Sequence, residues 1–195
     1  SHTLGKGIYS NDAGFSVTGQ CEEQLPLCEY GSGQPEPECP EGALHPSRFI
    51  GLDHGIRAGS SGIGGYTFTV KDSYFENNVC GIFNETVNKS AILRNTFVVG
   101  GREAELTGED GNFDGAHRAI YTYQANAFRV EQNELSKATT TYALTEGAVV
   151  GYTGAYSNQV YKNTSTDMDY AFVAEGECVD VSDLTTTGLA FLCNQ

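Results

Sequence analysis

A parallel β-helix, all-β and built of stacked coils, is the fold class this sequence predicts, and three observations predict it. Polar residues at Gln20, Ser47, Ser73, Asn95, Asn133, Asn163 and Asn194 recur at steps of 27, 26, 22, 38, 30 and 31 residues, each with an apolar side chain three positions earlier: Val17, Leu44, Val70, Ile92, Val130, Val160 and Phe191. A small residue precedes an apolar one at Gly7-Ile8, Gly55-Ile56, Gly81-Ile82, Ala119-Ile120, Ala148-Val149 and Ala171-Phe172, always upstream of that column. Between them run short alternating segments with no helical period, and 24 glycines supply turns. Self-similarity at this period marks a solenoid, in which a lone unit cannot bury its apolar face and stacked units bury a continuous one. A two-sheet sandwich of equally short strands is the alternative, but it leaves the constant order of the two pairs unexplained.

The clearest coil is residues 117–135, where Ala119-Ile120 is followed by Phe128-x-Val130, then Asn133 and Leu135. Alternation at period two is the pattern of a half-buried strand. Phe49, Phe75, Phe97 and Leu135 stand two positions after the polar column and extend the core. Six to seven coils with parallel strands about 4.8 Å apart would form a body roughly 30 Å long. The Asn/Ser column reads as a polar ladder at a bend, since Asn tolerates left-handed backbone geometry and can hydrogen-bond its own neighbours there.

Taken in order, residues 1–20 form a first coil with Ile8, Phe15 and Val17 inward and a turn at Asn11-Asp12-Ala13-Gly14. Residues 21–46 leave the coil, because Gln34-Pro35-Glu36-Pro37-Glu38-Cys39-Pro40 cannot donate regularly to a ladder. Residues 47–99 hold two regular coils, and 100–116 form a second excursion. Coils at 117–135 and 136–165 follow. The last begins at Tyr170-Ala171-Phe172, with an excursion at 174–188 before Leu189-Ala190-Phe191. All 195 residues read as one domain, and the open column at Asn194 leads us to expect an excerpt or processed piece of a longer chain, or an end covered by a partner.

A net charge of −14 argues against nucleic acid and anionic membrane, both of which need Lys/Arg clusters. No apolar run is long enough to span a bilayer. Six cysteines without a Cys-x-x-Cys pair argue against zinc and for an oxidising compartment. Two of Cys21, Cys28 and Cys39 could close the first excursion, and Cys178 with Cys193 the last; buried free thiols are the alternative. No phosphate loop, Gly-x-Ser-x-Gly elbow or His-Glu-x-x-His motif is present.

Three groups of residues could carry chemistry. Asp110-Gly111-Asn112-Phe113-Asp114-Gly115 opens like an EF-hand calcium loop, with Asp110, Asn112 and Asp114 as oxygen ligands, although its twelfth position is Tyr121 and not Glu. An acidic turn shaped by Asp and Gly is the alternative. Asp53-His54, with Arg57, and His117-Arg118 precede the small-apolar step two rungs apart. On one face they could bind an acidic or neutral glycan, Arg118 or Arg57 acting as base and His54 or His117 as acid. That column otherwise holds Lys6, Cys80, Gly147 and Tyr170, which share no chemistry. Third, Tyr9, Phe83 and Tyr121 follow the small-apolar pair, with Tyr123, Tyr152, Tyr156 and Tyr161 elsewhere; such rings either stack on sugars or cover the core. Asn84, Asn88 and Asn163 begin N-glycosylation acceptor triplets.

Gly-Ile-x followed by an alternating strand, the close Leu189-Ala190-Phe191-Leu192-Cys193-Asn194, and Phe49-Ile50-Gly51-Leu52-Asp53-His54-Gly55-Ile56 after a Cys-containing excursion resemble the right-handed parallel β-helix repeats of very large secreted surface proteins in Bacteroidota. Those chains usually end in a type IX secretion sorting domain, and none is visible here. The resemblance implies an extracellular or cell-surface location and a structural, adhesive or filament-like role. It also implies partners among copies or segments of the same assembly, or glycans. Pectate-lyase-like and polygalacturonase-like β-helices are a weaker resemblance, which would make the chain a polysaccharide lyase or hydrolase. The clustered aspartates of polygalacturonases are missing, which favours a non-catalytic role.

Overall fold

The computed structural model describes residues 5–21, 43–62, 65–103, 115–154, 156–178 and 188–195. Among these there is no helix, and three parallel sheets carry the chain. The first stacks Lys6–Asn11, His54–Gly59, Cys80–Glu85, Ala116–Tyr123, Leu144–Gly151 and Tyr170–Glu175 in that order. The second stacks Phe15–Thr18, Phe68–Lys71, Ala91–Leu93, Arg129–Glu131, Ser157–Tyr161 and Gly188–Leu192. The third runs from Ser47–Ile50 through Ser73–Glu76, Thr96–Val99 and Glu134–Lys137 to Thr164–Thr166. The chain visits the three sheets in turn, so each strand pairs with its counterpart one repeat away: this is the architecture of a parallel β-solenoid.

The apolar columns lie inside it. Val17, Val70, Ile92, Val130, Val160 and Phe191 share one register position in the second sheet. Phe49, Phe75, Phe97 and Leu135 share one in the third. The Phe49, Phe75 and Phe97 rings stack at centroid distances of 4.9 and 4.7 Å.

Four sequence expectations are corrected. Leu44 and Gln20 do not belong to the columns: Gln20–Cys21 and Leu44–His45 pair antiparallel with each other. Val17 therefore sits directly against Val70.

The second correction is a one-residue slip. The fifth small-apolar step is Gly147-Ala148 and not Ala148-Val149, since Ile120 pairs with Ala148 and Tyr121 with Val149. The cause is steric. A Cβ at Gly7, Gly55, Gly81 or Gly147 would come within 2.2–2.6 Å of the neighbouring strand's backbone oxygen. The first member of the pair must be small because backbones approach closely at that corner. Gly147 meets this requirement, and with a side-chain period of two the slip exchanges the inward and outward sets.

Third, the ladder asparagines do not carry the left-handed conformation. The residue before each does: Asp72, Arg94, Gln132, Lys162 and Cys193 have φ between 52° and 57°. Turning the chain one residue early aims the Ser73 or Asn side chain into the interior.

Fourth, Cys178 and Cys193 are free thiols, as is Cys80. The first two flank the strand Gly188–Leu192, whose five residues span roughly 16 Å at strand rise, beyond the reach of a disulfide. Cys21 is disulfide-bonded, and Cys28 and Cys39 lie outside the described residues.

Candidate functional site on the first sheet

Alternation along the first sheet separates its faces. Ile8, Ile56, Ile82, Ile120, Ala148 and Phe172 face the core. The next column, Tyr9, Arg57, Phe83, Tyr121, Val149 and Val173, faces outward, as does Asn11, Gly59, Glu85, Tyr123, Gly151 and Glu175 two residues on. The column before the small residue holds Lys6, His54, Cys80, Arg118, Glu146 and Tyr170. Glu146 takes the place the sequence reading gave to Gly147.

That change supplies the partner the sequence reading missed. Arg118 is 2% exposed and Glu146 7%, and Arg118 Nε lies 2.6 Å from Glu146 Oε2. The guanidinium also sits over the Tyr121 ring, 5.0 Å from its centroid. Asp53 and His54 are brought together as well, with Oδ2 3.4 Å from Nδ1. Hydrogen bonding to His54 is the chief influence holding the Asp53 carboxyl below its ordinary range, against the opposing effect of burial. The fully buried His54 ring stacks on Phe83 at 5.9 Å. Between His54 and Arg118 in the column, burial pushes the Cys80 thiol up to about 12, so it stays protonated and unreactive at neutral pH.

His117 lies apart, in the register of Thr145. It is fully buried, and among the described residues neither ring nitrogen has a hydrogen-bond partner. Burial, and secondarily the Arg102 guanidinium, lower its pKa. A histidine whose folded pKa lies below its unfolded value takes up a proton on unfolding in the interval between the two. Stability at this residue is complete above the ordinary value near 6.5 and is lost as pH falls from there toward the folded pKa. Urea unfolding between pH 7.5 and 5.5 is expected to lose more stability in the parent chain than in His117→Gln, by up to one proton's worth of slope; equal slopes would contradict this.

The outward aromatics form a connected strip. Phe83 stacks on Tyr121 at 5.3 Å, Tyr121 meets Tyr123 at 6.0 Å, and Tyr123 meets Tyr152 edge-on at 5.7 Å. Tyr121 donates its hydroxyl to Glu175 Oε2 at 3.0 Å. Burial, then the Glu175 charge, raises the Tyr121 pKa and keeps the phenol protonated. Arg57 binds Glu85 at 3.2 Å and caps the Phe83 ring at 5.2 Å. Gly176, at φ 65°, makes room for Tyr152: a Cβ there would fall 2.4–2.7 Å from that ring.

Asp110, Asn112 and Asp114 lie outside the described residues. Among the described residues no cluster of three His, Cys, Asp or Glu could hold a metal ion. Of the acceptor triplets, Asn84 and Asn163 are buried and only Asn88 is exposed. No family model, curated protein or solved structure matches the chain. The fold therefore defines the class, a parallel β-solenoid, and function has to be argued from the site.

Proposed function

We propose that the chain is a segment of an extracellular surface or filament-like protein, a right-handed β-helix of six coils that acts as a rigid scaffold or adhesin and not as an enzyme. The observation that carries this reading is the buried state of the groups nominated for catalysis. His54, His117 and Arg118 are enclosed, and Arg118 is committed to Glu146. A general acid or base has to come within hydrogen-bond reach of its substrate. Six strands in each of the two longest sheets support the coil count, and the strong preference for right-handed crossovers between parallel strands supports the hand. The resemblance to Bacteroidota surface repeats supports the location, with copies or segments of the same assembly as partners.

Polysaccharide cleavage is the competing reading. Incubation with a panel of neutral and acidic polysaccharides is expected to yield neither unsaturated nor reducing-end products. Product formation abolished by Arg118→Ala in a folded variant would overturn the scaffold and establish a lyase or hydrolase.

A further inference from the structure

The geometry points to the strip formed by Tyr121, Tyr123 and Tyr152 as a docking platform for an uncharged glycan, with Glu85 and Glu175 receiving its hydroxyl groups. The inference deepens the adhesin reading by naming a surface and a ligand class.

Three features carry it. Tyr121 and Tyr123 stand two residues apart on one strand and Tyr152 lies just past the end of the next, so the rings follow one another at 6.0 and 5.7 Å, close to the length of one pyranose unit. Tyr152 is 53% exposed, while Tyr121 and Tyr123 are half-buried, so ring surface is offered from a fixed bed. Tyrosine gives an apolar face and a polar edge on a side chain with few rotatable bonds, and it loses little entropy on contact.

The polar groups sit on the same bed. Glu175 accepts from the Tyr121 hydroxyl and Glu85 from Arg57, each through one oxygen, and a carboxylate has further lone pairs for sugar hydroxyls. Charge decides the ligand class. Two carboxylates at the strip, on a chain of net charge −14, repel a polyuronate. Arg57 and Arg118, the cations beside the rings, are already engaged with Glu85 and Glu146. Neutral sugar, whose C–H faces stack and whose hydroxyls donate, is the chemistry this surface complements.

The chain has no tryptophan, so its near-ultraviolet emission comes from its 11 tyrosines, the three of the platform among them. The test is titration of the intact chain with cellohexaose and with N-acetylated chitohexaose, against hexagalacturonate and spermine. A saturable emission change is expected with at least one neutral hexasaccharide and not with hexagalacturonate or spermine. Tyr152→Ala and Tyr123→Ala should each weaken binding about tenfold or more, while Tyr161→Ala on the second sheet leaves it unchanged. The proposal is overturned by the absence of neutral-glycan binding, by preference for hexagalacturonate or spermine, or by full affinity in a Tyr152→Ala protein of unaltered melting temperature. Any of these would leave the scaffold reading standing, since that reading falls only to product formation.

Discussion

Asn133→Ala is expected to remove about 4 kcal/mol of stability, a large part of the 5–15 kcal/mol typical of a folded domain. The residue is fully buried and makes hydrogen bonds to the repeats on either side of it. Its Oδ1 accepts from both the backbone N–H and the Nδ2 of Asn95, at 2.9 and 3.0 Å. Its Nδ2 donates to the Ile92 carbonyl and to Asn163 Oδ1, at 3.0 and 2.9 Å. Truncation strands several buried polar atoms at once, each costing about 1–3 kcal/mol when left unmade. Glu134→Ala, one residue along and solvent-exposed, should cost less than about 0.5 kcal/mol. Urea midpoints compare the two. A loss below about 1 kcal/mol for Asn133→Ala would mean the ladder is not what holds the repeats together.

Arg118→Met is expected to lower stability by about 3–5 kcal/mol, because it leaves the Glu146 carboxylate enclosed without its cation. In a chain of this length that corresponds to a melting temperature about 10 °C lower. The double change Arg118→Met with Glu146→Leu should recover most of the loss, since burying two charges is itself costly and apolar replacement of a whole pair is often neutral or better. Thermal melts of the two single variants and the double variant form a cycle. A double variant as unstable as the sum of the singles would contradict a direct pairing of Arg118 with Glu146.

Much of the fold was legible because the close contacts of a solenoid are written as recurrence. Val70, Ile92 and Val130 adjoin in register as their spacing relative to Ser73, Asn95 and Asn133 implied. The failures have physical causes. Leu44 carried the right spacing from Ser47, but spacing cannot reveal that a strand pairs antiparallel with Cys21. Gly147-Ala148-Val149 offers two small-apolar steps, and only the approach of the neighbouring backbone oxygen at the corner selects between them. That ambiguity hid Glu146 from Arg118, whereas aligning the column on glycine would have found it. The sequence marks Tyr121, Tyr123 and Tyr152 as candidate aromatics, but it aligns only Tyr121 with the small-apolar pair and does not join the three on one face. Burial of His54 and His117 was not legible, because the pattern of a strand does not say what covers its outer side.

The ladder also has a direction. Each asparagine's oxygen takes up N–H groups from the preceding repeat: Asn95 serves Ser73, Asn163 serves Asn133, and Asn194 serves Asn163. Withdrawing one repeat therefore orphans buried donors on its N-terminal side, while its C-terminal neighbour keeps its N–H partner and one of the two acceptors of its Nδ2, losing the other and the donors to its side-chain oxygen. Loosening should spread like a run of dominoes falling toward the N-terminus, and a partner seated at the Asn194 end would steady the whole column behind it.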